Sequence, residues 1–250
     1  LDFKLFLIII LRLKWDRDDF ISKGYAMFKS WNLFEKSWLA TFAIIALYLS
    51  YKFQSSFLDY FAFITGILCV VLAAKGVIWT YFWGMLNTIS YGYIAYKNGL
   101  NGEMGLNLYF FLPMNFIGYY MWKGQLDNKV VQMRALSLKN LFSTIFICAL
   151  GILITGYYLS LVEGQNLPFL DATTNGLSIT ATFLMVLRFK EQWLLYIVLN
   201  VVTIWMWVNR LIGGSEEAPM MILMWSAFLV NAAYGYYNWN KGSKIKLEIK

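Results

Sequence analysis

Two asparagines sit midway through long apolar runs of this chain, each in a stripe of large rings. Within WTYFWGMLNTISYGYIAYKNG, residues 79–99, Trp79 and Trp83 precede Asn87 and Tyr91 follows it, all at helical spacing. Further on, Trp193 and Tyr196 precede Asn200, with Thr203 and Trp207 after it. Residues three and four apart share a helix face, so amide and rings line up. Hydrocarbon leaves an amide unsatisfied, so each stripe must turn toward a partner helix, water or a ligand. Flat rings can sandwich an aromatic heterocycle and attract positive charge, while amides can hold a carboxamide or hydroxyls. The plainer reading is a helix-to-helix bond. Asn87 and Asn200, mid-span and ring-flanked, point to ligand contact; for Asn115 and Asn231, nearer span ends, structural bonding serves at least as well. Trp79, Trp122 and Trp239, close to span ends, read as an interfacial belt.

Such stripes need helices in lipid to hold them. Of the 250 residues 60% are hydrophobic and 14% charged, too few polar positions to cover a soluble domain. A helix crosses the roughly 30 Å hydrocarbon layer with about 20 residues. About eight spans result, at 37–53, 57–74, 77–96, 104–122, 140–162, 167–187, 192–209 and 218–240. The start, LDFKLFLIIILRLK, reads as an interfacial amphipathic segment within 1–36 rather than a span or signal peptide. Lys and Arg divide 18 to 3 between the two sides, which predicts that both termini, including the tail 241–250, are cytoplasmic. On the opposite side Lys52, Lys97 and Arg210 face six acids, Asp59, Glu103, Glu163, Asp171, Glu216 and Glu217, mildly favouring an arriving cation.

An internal repeat organises the spans. NFIGYYMWKG, Asn115 to Gly124, reappears as NAAYGYYNWNKG, Asn231 to Gly242, and LDYFAFITG from Leu58 faces LDATTNG from Leu170. Two three-helix copies, 57–122 and 167–240, are separated by one helix, 140–162, so both enter the membrane in the same sense. The expected fold is all-α and polytopic, a 3+1+3 arrangement of parallel repeats with 37–53 as an extra N-terminal helix.

Several chemistries lack their residues. The chain has no histidine, its Cys69 and Cys148 lie far apart in apolar runs, and no P-loop occurs, so no metal site, disulfide framework, cofactor or nucleotide-driven cycle is expected. No nucleophile and base pair or carboxylate dyad falls in the spans, which argues against an intramembrane enzyme. The spans 77–96, 104–122, 140–162, 192–209 and 218–240 carry no acid or base, so ion coupling lacks a relay and passive, facilitated transport follows.

Trp83, Asn87 and Tyr91, the run NLYFFLPMNFIGYYMW, the run WLLYIVLN and the closing GYYNW resemble PnuC-type nicotinamide riboside transporters over about residues 35–242. The 3+1+3 plan is similar to that of full-length SWEET carriers. The resemblance implies uptake of nicotinamide riboside across a bacterial inner membrane by facilitated diffusion, with trapping by a cytosolic kinase; alternating access by rocking one three-helix bundle against the other is the expected motion. It also implies a homo-oligomer, with a trimer as the candidate state, and no nucleic-acid partner. The candidate substrate positions are Trp83, Asn87 and Tyr91, then Asn107, Phe110 and Asn115. In the second half the candidates are Trp193, Tyr196, Asn200, Thr203, Trp225 and Asn231. A pyridinium with a carboxamide and a ribose suits rings and amides, and phosphorylated nucleotides should be rejected because no Lys or Arg lies at mid-membrane. A carrier of sugar or neutral nucleoside, and a receptor that binds without flux, are the alternatives.

Overall fold

The computed structural model describes residues 31–52, 57–97, 104–127, 129–162, 167–214 and 218–248. The interfacial reading of the N-terminal segment falls largely on 1–30, outside the described residues, as do Glu103, Glu163, Glu216 and Glu217. The chain divides into two compact units, 1–41 and 42–250. Eight helical rods follow one another among the described residues. They are α1 (Leu33–Lys52), α2 (Phe57–Lys75), α3 (Thr80–Lys97), α4, α5 (Leu138–Ser160), α6 (Pro168–Val186), α7 (Gln192–Ile212) and α8 (Ala218–Glu248). The α4 rod joins a π-helical stretch, Leu106–Phe111, to an α-helix, Leu112–Lys123. Each of the eight expected spans falls on one rod. By length and composition alone α2, α5 and α7 are long and apolar enough to cross a membrane.

Local chemistry sets the ends. In α1 the Asn32 side chain accepts from the Glu35 N–H while the Glu35 carboxylate accepts from the Asn32 N–H, a capping box. Ser137 caps α5, its hydroxyl accepting from Asn140 N at 3.3 Å. Pro168 opens α6, where a missing N–H costs nothing. In α4 the π turns immediately precede Pro113, whose ring would collide with the carbonyl four residues back in a regular helix. Left-handed residues close both α2 and α6. Gly76 has φ 70° and Arg188 φ 68°, and Val77 N donates to Leu72 O as Phe189 N donates to Leu184 O, so both turns are Schellman motifs.

Packing partners close a ring. α2 contacts α3 and α8, α8 contacts α7, α7 contacts α6, α6 contacts α4, and α4 returns to α3. The fifth helix stands outside this ring against α6. Its face is apolar and bare: Phe142, Phe146, Ile147 and Leu153 are exposed, and only Cys148 and Gly156 are buried. Polar side chains go the other way, with Thr80, Thr88, Asn107, Asn200, Thr203 and Asn231 buried. Apolar outside and polar inside is the pattern lipid imposes.

At one end of the ring four rings form a chain. Tyr81 meets Trp122 at 4.9 Å between centroids, Trp122 meets Trp239 at 5.7 Å, and Trp239 meets Trp193 at 6.2 Å. Glycines admit them. A Cβ on Gly118 would collide with the Tyr81 ring, and one on Gly235 would lie 2.6 Å from the Trp193 ring. Gly118→Val should therefore cost about 1 to 3 kcal/mol by overpacking. Gly124→Ala, which meets nothing within 4 Å, should leave stability unchanged. Thermal unfolding of both variants in detergent checks this, and equal midpoints would contradict the close packing.

Candidate functional site

The ring interior is built from helices α2, α3, α4, α6, α7 and α8, and the structure sorts the sequence-derived residues within it. Asn87 is a helix tie. Its Nδ2 donates to Ala62 O of α2 at 2.7 Å, a contact opened by Gly66, where a Cβ would sit 2.9 Å from that nitrogen. Asn115 also bonds within its own half, donating to Phe111 O at 2.9 Å and Thr88 Oγ1 at 3.3 Å, while its Oδ1 fills the space over Gly84. Asn231 reaches between halves instead, from α8 to Val70 O of α2 at 3.0 Å. Thr203 turns its hydroxyl back to Leu199 O at 2.9 Å. Asn200 differs from all of these. It is 3% exposed, and its amide forms no hydrogen bond with another described residue.

Register explains the difference. Counting along each helix from the equivalent turns at Gly76 and Arg188, Asn200 aligns with Thr88, and Asn87 aligns with Leu199. The two asparagines that look paired in sequence are thus one position, about 100°, apart around their helices. The same shift separates Asn115 from Asn231, because Gly118 and Trp122 correspond to Gly235 and Trp239.

The rings are also sorted. Trp83 is half-buried and edge-on to Phe82 at 5.4 Å, Tyr91 is half-buried, and Asn107 is buried in the π stretch beside Gly92. Phe110 crosses between helices to Phe183 of α6 at 5.7 Å. Trp193 stacks obliquely on Tyr196 at 5.9 Å, and the Tyr196 hydroxyl lies 3.4 Å from Thr182 Oγ1. Trp225 packs against Cys148, Leu177 and Leu199. Neither the Trp193 nor the Trp225 indole N–H, both buried, has a hydrogen-bond partner among the described residues.

Sequence reasoning misplaced two tryptophans and missed two polar groups. Trp122 and Trp239 are completely buried, not a belt facing lipid. Each indole donates across to the opposite set of helices: Trp122 Nε1 to Met185 O of α6 at 3.1 Å, and Trp239 Nε1 to Ala73 O of α2 at 3.0 Å. The repeated GYYxW carried that signal, since a belt residue needs no glycine four positions earlier. Gln192 is wholly buried, and among the described residues neither of its amide atoms nor the buried Tyr81 hydroxyl has a hydrogen-bond partner. Among the described residues no group of three His, Cys, Asp or Glu could hold a metal.

Charge gathers where the ring chain lies. Lys75, Lys123, Arg134, Arg188, Lys190 and Lys241 mark this basic end, whereas Lys97 and Arg210 end α3 and α7 on the far side. Arg188, in the turn after α6, is held below the ordinary guanidinium range, first by burial and then by its neighbour Arg134.

A crossing ring of helices with a polar, uncharged interior is a transporter's geometry, and related proteins agree. The nicotinamide mononucleotide transporter family matches residues 56–241. The chain belongs to that family. It is 39% identical over 215 residues to the nicotinamide riboside transporter PnuC of Haemophilus influenzae, spanning 84% of this chain and 91% of that protein. To the PnuC of Neisseria mucosa it is 35% identical over 223 residues, 86% and 84% of the two chains. A crystal structure of the vitamin B3 transporter PnuC superposes with a TM-score of 0.74 at 35% identity, covering 86% of this chain and 94% of that one. The protein is a multi-pass membrane transporter and not an enzyme.

The amide geometry separates two roles. Replacing Asn87 by leucine removes a bond inside the helix pair and should cost about 0.6 to 1.7 kcal/mol. Asn200→Leu should leave stability level or raise it, since no protein bond is lost. Chemical denaturation of the two variants measures this; an equal loss in both would make Asn200 a structural tie as well.

Proposed function

We propose that this chain carries nicotinamide riboside across a bacterial inner membrane by facilitated diffusion, with both termini cytoplasmic. The observation that carries the reading is an interior of amides, indoles and hydroxyls without a charged side chain at mid-depth. The buried Trp225 indole N–H has no partner among the described residues, and the buried Asn200 amide has no hydrogen bond with another of them, which a ligand or water would complete. Rings such as Trp193 and Tyr196 would attract the pyridinium, at about 2 kcal/mol for a well-placed desolvated partner. No carboxylate is required.

The family description speaks of the mononucleotide and the relatives' names of the riboside. Physical chemistry favours the riboside: a phosphate dianion at mid-bundle would find no Lys or Arg, and an unpaired buried charge is prohibitive. Trapping by a cytosolic kinase suits a passive carrier, because phosphorylation makes the product too charged to return. A homo-oligomer fits the broad apolar face of α5.

The helices form two parallel three-helix repeats, 57–122 and 167–240, with 140–162 as linker and 37–53 as an extra helix. Equivalent closing turns and reciprocal indole bonds support this, and rocking of one repeat against the other would alternate access. The basic end, closed by Trp122 and Trp239, is then the cytoplasmic gate.

Liposomes holding the purified chain should take up labelled nicotinamide riboside with no proton or sodium gradient, and the mononucleotide should not compete. Asn200→Leu should weaken binding by about tenfold or more, the equivalent of 1.4 kcal/mol. Gradient-dependent uptake, or unchanged affinity in that variant, would overturn the reading. Competition by ribose and uncharged nucleosides as strong as by the riboside would favour a sugar or nucleoside carrier, and binding without flux a receptor.

A further inference from the structure

Between α4 and α5 the chain has only to pass from one helix to the next, yet its described residues 124–127 and 129–136 bond to both sides of the ring. Leu126–Asp127 pairs with Val130–Val131 as a short antiparallel ladder, and Val77 bridges to Val130. Val131 N then donates to Gly76 O at 2.8 Å, and three residues later Arg134 N donates to Arg188 O at 2.8 Å. Gly76 and Arg188 are the equivalent left-handed residues that close α2 and α6, helices on opposite sides of the ring by the order of contacts. Lys190 N returns a bond to Arg134 O at 2.9 Å.

Side chains reinforce the crossing. Arg188 Nη1 donates to Gln125 Oε1 at 3.0 Å and to Gln132 O at 3.4 Å. The Glu191 carboxylate accepts from Leu136 N at 3.1 Å, and the Arg134 guanidinium lies 4.5 Å from the centre of the Phe189 ring. Met133, between the two docking points, is buried against Gly76 and Gly242 and belongs to the cluster that contains Trp122 and Trp239.

We infer that residues 124–136 are a strap that latches the basic end of the ring shut, and that it must undock before substrate can pass there. The inference rests on the transport reading above and deepens it. Opposite helix ends that share one strap cannot separate while both docking bonds persist, and Met133 packs in the same buried cluster as the two indoles. The strap is a moving part of the cycle, not a passive connection.

A disulfide can hold it docked. A Cβ at position 242 would lie 3.7 Å from the Met133 Cβ, the spacing that a disulfide requires. The variant Met133→Cys with Gly242→Cys, reconstituted in liposomes, should exchange labelled nicotinamide riboside when reduced. Oxidation should lower exchange by about tenfold or more while equilibrium binding persists, and dithiothreitol should restore it; either single variant should be indifferent to oxidation. Full exchange in the oxidised pair overturns the latch, and so does failure to cross-link in a reduced form that transports. If the parent protein itself fails to transport, the transport reading falls and the latch with it. Independently of any variant, amide exchange of residues 130–135 should quicken during turnover of the parent protein; unchanged protection would overturn the latch.

Discussion

A ring of six helices has an empty axis unless side chains from opposite walls meet on it, and in this protein Trp122 and Trp239 do. Each indole also donates to a carbonyl near the end of a helix in the other half, so the two halves are bonded to one another where the axis is blocked. Both carbonyls already accept the N–H of the closing turn, from Gly76 and Arg188 at 2.9 Å, and the indole takes up the remaining lone pair. Glycines at 118 and 235 follow from this constraint, since the neighbouring Tyr81 and Trp193 rings occupy the volume a side chain would need. Closure, packing and helix capping are therefore one arrangement.

The rest of the interior is governed by satisfaction of polar groups in a lipid-surrounded bundle. Asn87, Asn115 and Asn231 settle theirs on backbone or hydroxyl oxygens. Beside those, the Asn200 amide, the Trp193 and Trp225 indoles, the Gln192 amide and the Tyr81 hydroxyl have no hydrogen-bond partner among the described residues. Under the transport reading proposed above, with no ionisable side chain at this depth among the described residues, recognition would rest on ring faces and neutral hydrogen bonds, which suits a cation.

Much of this was legible in the sequence. Apolar length located all eight rods among the described residues, because α2, α5 and α7 are nearly continuous hydrophobic runs and the others keep long apolar stretches between their rings and amides. The repeated GYYxW motifs coincide with the two buried indoles, Trp122 and Trp239, each four residues after a glycine. Letter-by-letter matching went astray at the asparagines, since a shift of one residue leaves an alignment looking sound but rotates a side chain by about 100°. The belt reading of Trp122 and Trp239 failed for a related reason: distance from a span end gives depth in the membrane but not whether a residue faces lipid or the bundle axis. The strap was invisible, because its bonds are made by backbone groups whose partners lie far away in the chain.

A structure of the full-length protein with nicotinamide riboside bound tests the account most directly. The account places the pyridinium inside the ring of six helices, against aromatic faces and within hydrogen-bonding distance of Asn200, on the far side of the Trp122 and Trp239 pair from the basic end. Density for the ligand outside the ring, with the Asn200 amide turned onto neighbouring protein, would contradict it.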